Sequence, residues 1–540
     1  MQQNFLDFNC LKYDYPSKRT VTFGKRGMVA TSQNLAAQAG LDILKKGGNA
    51  IDAAISSAST LTVVEPTSNG IGGDAFAIVW FNNKLYGLNG SGFAPELINR
   101  DKILNLGFDK IPYRGWIPVM VPGVPATWAE LSKKFGKLEL IECLEPAIYY
   151  AKEGFPVSPI VSKLWADAFV EFKRDLKSEE FKPLFETFSN DGITPKAGDI
   201  WKLKYHAKTL EAIGNTYSKD FYKGELTERI DSFSKKTGGY IRKEDLENYS
   251  PSWVNPININ YRGYDIWEIP PNGDGIIALI ALNILKNFEL EKCENKNSMH
   301  QKIEAMKLAF ADAHKYISDI DYMKVNVEEL LAEDYALIRK NLIKDTAIKQ
   351  TYGRPSGSST VYLAAADCWG NMVSYIQSNY KGFGSGIVIP QTGIALQDRG
   401  ANFSLDLNSP NVIEPCKKSF HTIIPGFITK DNSAIGPFGV MGEFMQPQGH
   451  LQVISNLIDF NMNPQEALDA PRWQWIKDKI VEVEKEMPAE FIEDLKKRGH
   501  EIKIADDNLH FGRGQIIIQR ENGVYAGATE PRTDGTVASW

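Results

Sequence analysis

Five cysteines in 540 residues (Cys10, Cys143, Cys293, Cys368 and Cys416) are too few and too scattered to make a framework. No two stand in CxxC spacing and their number is odd, so free thiols are expected rather than a disulfide scaffold or a thiolate metal site. Seven histidines form no HExxH or similar cluster, and no metal or other cofactor is expected. Positive charge is not in excess. The formal net charge of −6 argues against nucleic acid or an anionic membrane surface as the main partner. Long apolar runs are missing too. Residues 276–285 are the best candidate, at about half of the ~20 residues a membrane helix needs. The opening Met1-Gln-Gln-Asn-Phe-Leu-Asp-Phe-Asn-Cys10 has no basic start followed by an apolar stretch, so a secretory signal is not expected and a cytoplasmic location is.

What is present is ordinary for a water-soluble fold: 43% hydrophobic and 24% charged residues. The length exceeds a usual single core and implies one very large domain or two intertwined lobes. Apolar spacing predicts a helix over 33–44, ended by Gly47-Gly48, and a second over 50–62 with Asn49 as its cap. A strand follows over 76–81. Helical periodicity returns at 126–135, 140–153 and 299–317. Asp220-Phe-Tyr-Lys-Gly224 and Pro270-Pro-Asn-Gly-Asp-Gly275 read as turns. Tyr352-Gly-Arg-Pro-Ser-Gly-Ser-Ser359 is small, polar and rich in breakers, and reads as an exposed or strained linker. After it the pattern becomes strand-rich, with a hairpin over 361–378 turning at Asp367-Cys-Trp-Gly-Asn371 and further runs at 387–389, 422–428 and 515–519. Helix-rich sequence before a sheet-rich last third suggests a layered α/β sandwich.

Gly70-Ile-Gly-Gly73 lacks the lysine of a phosphate-binding loop and does not lead from a strand into a helix. A tight turn with close backbone packing is the better reading.

Several segments together resemble the γ-glutamyltransferase family of N-terminal nucleophile (Ntn) hydrolases. They are Met28-Val-Ala30, Gly47-Gly-Asn-Ala-Ile-Asp-Ala-Ala54, Glu65-Pro66, Gly70-Ile-Gly-Gly-Asp74, Val121-Pro-Gly123, Phe221-Tyr-Lys-Gly224, Tyr261-Arg-Gly263, Pro270-Pro271 and Ala470-Pro-Arg472. The resemblance runs over nearly the whole chain in the family's order. It implies an α/β fold, a four-layer αββα sandwich. It also implies a precursor that cuts itself before a threonine, here between Ser359 and Thr360. The products are a helix-rich large subunit, 1–359, and a strand-rich small subunit, 360–540, intertwined as a heterodimer that can pair further. Thr360 is then the expected nucleophile. A threonine hydroxyl needs a base, and the freed α-amino group, with a pKa near 8, can serve only after the cut. Read without the resemblance, Thr360 is an ordinary threonine at a strand start.

The resemblance assigns other roles less evenly. Ser378 stands where the family has a second threonine bonded to the nucleophile. Gly442-Glu443 stands where two glycines offer backbone N–H groups to the oxyanion. Glu443 is an awkward replacement, because a glutamate resists left-handed backbone and its charge opposes an oxyanion unless it points away. The positions that hold a γ-glutamyl α-carboxylate and α-amino group are largely changed. Arg114 lies three residues before the expected arginine position, and Tyr380, beside Asn379, replaces an asparagine. Arg399 and Asn402 stand where a glutamine and an aspartate belong, and His421-Thr422 replaces two serines. Arg399 removes an acceptor for an ammonium and adds a cation. It binds an anion on the acyl group, or it pairs with a protein carboxylate. His421 is a donor or proton shuttle near Thr360, or a structural histidine. The segment 404–421 is shorter than a typical family lid, so a more open pocket is expected. Three readings follow: an Ntn amidohydrolase or acyltransferase acting on a γ-glutamyl or related acyl-amide, a true glutathione γ-glutamyltransferase, or an unprocessed binding or scaffold relative.

Overall fold

In the computed structural model, which describes residues 18–349 and 360–540, the strand Val361–Asp367 is buried along its whole length. Side chains alternate across a strand, and here both sets find a covering layer. Val361, Leu363 and Ala365 pack into a helical core, while Tyr362, Ala364 and Ala366 pack toward a second sheet. The strand Asp74–Phe81 divides in the same way, with Ala75, Ala77 and Val79 toward the helices and Phe76, Ile78 and Trp80 toward the facing sheet. Double coverage explains why these strands read as unbroken runs of apolar and small residues rather than as an alternation.

Among the described residues each of the two main sheets has seven strands, antiparallel throughout. The first runs, edge to edge, through Thr536–Ser539, Gly27–Thr31, Val361–Asp367, Met372–Ser378, Asp74–Phe81, Lys84–Gly90 and Ser252–Val254. The second runs through Thr22–Gly24, Tyr525–Thr529, Arg513–Gln519, Ser433–Met441, Gly426–Lys430, Tyr264–Glu268 and Ile257–Tyr261. Both sheets take strands from before and after Thr360. Helices Asn34–Lys46, Ala50–Val64, Val124–Phe135 and Leu140–Glu153 cover the outer face of the first sheet. Helices Gly275–Leu285, Lys296–Tyr316 and Met445–Ile458 cover the second. The layers are therefore αββα, the four-layer sandwich expected from the resemblance.

Local signals placed most elements. Asn49 caps Ala50–Val64, its side chain accepting from Ile51 and Asp52 N–H while Asp52 bonds back to the Asn49 N–H. The apolar run near 276–285 is the buried helix Gly275–Leu285, and no helix among the described residues is long and apolar enough to cross a membrane. Three expectations change. Residues 220–224, read as a turn, lie mostly in the short helix Lys219–Lys223, whose Phe221 and Tyr222 are buried by their neighbours. The run at 387–389 makes an isolated bridge between Val388 and Ala395 instead of a strand. The run at 422–428 becomes a strand only from Gly426, because the N–H groups of Ile423 and Ile424 are taken by the side chains of His421 and Gln446 rather than by a neighbouring strand. Cys10 and the linker 352–359, including Ser359, lie outside the described residues.

Candidate active site

The hairpin places two hydroxyls together. Val361 pairs with Gln377 in register, which brings Thr360 opposite Ser378 at the end of the strand. Thr360 Oγ1 donates to Ser378 Oγ at 3.0 Å, and both residues are buried. Ser378 Oγ also accepts from the Tyr380 N–H at 2.8 Å and from Arg399 Nη2 at 3.2 Å. Tyr380 reaches this position with a φ of 77°, a left-handed turn directly after the strand.

Arg399 is the charge nearest this pair. Its Nη1 donates to Thr422 Oγ1 at 2.7 Å, and its guanidinium lies 4.3 Å from the Tyr380 ring centre. It makes no salt bridge among the described residues, and its Nε has no hydrogen-bond partner there. Burial pulls the guanidinium below its usual range, opposed by Tyr380 and by the fields of Asp74, Asp398 and Glu443. Two of those carboxyls are themselves unusual. Burial pushes Asp74 up to about 7 against the pull of Arg399 and the Gly92 N–H. It pushes Asp398 up to about 7 against Arg114 and the Lys381 N–H. Desolvation thus keeps both acids close to neutrality beside a buried cation.

His421 belongs to this surround, not to Thr360. Its Nε2 lies 3.0 Å from Asp74 Oδ2, and its Nδ1 takes the Ile423 N–H at 3.4 Å. Burial, with Arg399 and Lys418 adding to it, holds the imidazole well below its usual range. The ring is therefore neutral, with the proton on Nε2 donated to Asp74, and the contact is a hydrogen bond rather than an ion pair.

The turn Gly442-Glu443 joins the strand Ser433–Met441 to the helix Met445–Ile458. Gly439 of that strand lies against the Tyr362 ring, so closely that a Cβ there would come within 2.4 Å of it. This packing sets the end of the strand beside the start of Val361–Asp367. Gly442 has a φ of 149° and Glu443 a φ of 53°, so the glutamate does take up the left-handed conformation. Its carboxylate is turned to Lys381, whose Nζ lies 2.7 and 2.9 Å from the two oxygens. N–H groups in this turn stand at the electropositive start of a helix.

Three residues of the expected substrate set make contacts within the protein. Arg114 Nη1 donates to the carbonyls of Gly382 (2.9 Å) and Gly384, and its Nη2 reaches Glu171 at 3.4 Å, so it clasps a loop. Asn379 packs against the Gly70–Gly73 turn, where a Cβ on Gly73 would stand 2.6 Å from its Oδ1. Asn402 donates to the Phe420 carbonyl at 3.0 Å and steadies the segment ahead of His421. Thr360, Ser378, Arg399, His421 and Glu443 are each at most 3% exposed. Asp74, Asp398 and Lys381 were not singled out by sequence reasoning. Each had a signal, as the acid ending the Gly-Ile-Gly-Gly turn, the acid before Arg399 and the cation three residues after Ser378.

One group elsewhere has ligand-like geometry. His300, Glu304 and His500 offer atoms within 4.8 Å of one another. The Lys344 carbonyl fixes the His300 proton on Nε2, at 2.7 Å, and His300 Nδ1 takes a hydrogen bond from His500 Nε2 at 2.9 Å. Glu304 already holds the buried ammonium of Lys307 at 2.7 Å. A divalent ion would have to share a dry pocket with that ammonium, so the cluster is read as a polar tie within the core.

Comparison with known proteins agrees with this architecture. The γ-glutamyltranspeptidase family model matches residues 36–540. The glutathione hydrolase-like YwrD proenzyme of Bacillus subtilis is 35% identical over 526 residues, covering 95% of this chain and 98% of the relative. The oxamate amidohydrolase proenzyme of Klebsiella pneumoniae is 30% identical over 95% of this chain and 98% of its own. The crystal structure of a cephalosporin acylase from Bacillus halodurans superposes with a TM-score of 0.96 at 54% identity, covering 99% of both chains. Neither the scaffold reading nor the glutathione transferase reading is favoured by this company of proenzymes, hydrolases and acylases. The chain belongs to the γ-glutamyltranspeptidase family and is a self-processing Ntn hydrolase, an enzyme of the hydrolase and acyltransferase kind.

Proposed function

We propose that the chain is cut between Ser359 and Thr360 and that Thr360 then attacks an amide whose acyl group ends in a carboxylate. The cut yields fragments 1–359 and 360–540, which stay together because both sheets draw strands from each. The freed α-amino group of Thr360 takes the Oγ1 proton as the hydroxyl adds to the amide carbonyl. Ser378 Oγ orients that hydroxyl. N–H groups of Gly442-Glu443 receive the oxyanion. The tetrahedral species collapses with loss of the amine, which carries the proton away, and leaves an acyl ester on Thr360. Water, or another amine, releases the acyl group by the reverse proton path.

The observation that carries the substrate assignment is Arg399, a buried guanidinium bonded to Ser378 and Thr422 with no salt bridge among the described residues. A buried cation is costly without an anion, and a planar guanidinium suits a carboxylate. Asp74 and Asp398 act on Arg399 through their fields, but neither forms an ion pair with it among the described residues. One relative is named for oxamate, itself an amide whose acyl half ends in a carboxylate. Glutaryl-p-nitroanilide and γ-glutamyl-p-nitroanilide separate the readings, since the second adds an ammonium that Arg399 repels. Faster hydrolysis of the glutaryl compound, lost in Arg399→Ala, supports the assignment. A preference for the γ-glutamyl compound, or no loss in Arg399→Ala, contradicts it.

A further inference from the structure

Glu443 goes against two local preferences at once. A side chain other than glycine, asparagine or aspartate is uncommon at a φ of 53°. A carboxylate at a turn meant to receive an oxyanion also raises the barrier that turn should lower. Both difficulties meet one answer in Lys381. The ammonium is bonded to both carboxylate oxygens, with the Lys381 side chain 13% exposed and that of Glu443 4%. The rings of Tyr113 and Tyr380 flank it, with centres 5.0 and 5.1 Å from Nζ. The lysine backbone is fixed as well, its N–H donating to Asp398 Oδ1 at 3.0 Å. Lys381 follows the strand Met372–Ser378 of the first sheet, and Glu443 follows the strand Ser433–Met441 of the second. The pair therefore ties the two sheets together at the end where Thr360 begins.

We propose that Lys381 is a positioning residue for the oxyanion turn, holding Glu443 in its left-handed conformation and neutralising its charge. The inference rests on the reading of Gly442-Glu443 as the oxyanion donors and names the residue that makes a glutamate workable there. In this proposal Lys381 acts through Glu443. Its loss should act on kcat and leave KM nearly unchanged. The defect should also vanish when Glu443 is replaced by glycine, which needs no clamp and carries no charge.

The test compares Lys381→Met, Lys381→Arg, Glu443→Gly and the double variant Lys381→Met/Glu443→Gly with the unaltered enzyme. The readouts are kcat and KM on glutaryl-p-nitroanilide and the extent of chain cutting on a denaturing gel. Lys381→Met should lose about 10- to 100-fold in kcat, the scale of a disturbed oxyanion donor. Lys381→Arg should keep most activity, and the double variant should recover to near Glu443→Gly. If Lys381→Met remains uncut, the same second change should restore cutting. A double variant as slow as Lys381→Met, or a defect that falls on KM, overturns the proposal. Thr360→Ala run alongside separates the levels: if it retains activity, the Thr360 reading fails, whereas failed rescue with inactive Thr360→Ala removes only the role of Lys381.

Discussion

Thr360 and Ser378 meet hydroxyl to hydroxyl at 3.0 Å across adjacent antiparallel strands, and Ser378 receives two further hydrogen bonds, from the Tyr380 N–H and Arg399. Fixed by the Tyr380 N–H and Arg399, Ser378 Oγ sets the place of the Thr360 hydroxyl. Ser378→Ala should lower kcat on an acyl-amide by about 10- to 100-fold, because a mis-set nucleophile loses its near-attack geometry. Ser378→Thr, which keeps the oxygen, should retain most activity. Steady-state kinetics of the two variants checks this.

Arg399 is expected to decide which acyl groups enter. Arg399→Ala should raise KM for glutaryl-p-nitroanilide by about 10-fold or more, the loss expected of a charge-assisted hydrogen bond. It should change KM for an uncharged acyl-anilide far less. Arg399→Lys should recover little, since an ammonium cannot reach both Thr422 and Ser378 as the fork does.

The raised acids beside Arg399 fix the sign of one pH effect. Asp398, raised to about 7 by burial, stays protonated in the folded chain where an unfolded chain has already released its proton. Stability from this group is thus full below its ordinary pKa and is lost as pH rises through about 7. Asp74 behaves in the same direction. Replacing Asp398 by asparagine should flatten the fall in stability between about pH 4 and about pH 7, by up to ~1.4 kcal/mol per unit. Denaturant midpoints of the two proteins across that range measure it.

Gly73 marks how tightly the nucleophile strand is packed. A Cβ there would lie 2.6 Å from both the Ser378 carbonyl oxygen and Asn379 Oδ1. Gly73→Ala should cost about 1–3 kcal/mol, as overpacking does. It should also lower kcat, because the displaced backbone is the one that carries Ser378. Thermal unfolding and kinetics on one preparation would show both effects.

A layered α/β arrangement was legible because it depends on near neighbours in sequence, whereas the four layers and the Thr360–Ser378 pair came from the family resemblance. Apolar strand runs, the Asn49 cap and a hairpin turning at Asp367-Cys-Trp-Gly-Asn371 each lie within a few residues. The surround of Arg399 was not legible. Asp74 stands 325 positions before Arg399 in sequence, and Lys381 meets Glu443 across 62. Such contacts exist only once two sheets have stacked. The sequence also presents Glu443 as a misfit, because its remedy sits on another strand. Arg114 and Asn379 carried the right chemistry near the right place, yet the carbonyls of Gly382 and Gly384 take up the Arg114 guanidinium and the Ala395 carbonyl accepts from Asn379.

The central claim is that this chain becomes an enzyme by releasing Thr360. The most direct measurement is a denaturing gel of the purified protein, with N-terminal sequencing of each band, beside Thr360→Ala. Two bands are expected, the smaller beginning Thr-Val-Tyr-Leu, with a single uncut band for Thr360→Ala. A single stable band from the unaltered protein, or a small fragment beginning at any other residue, would contradict it.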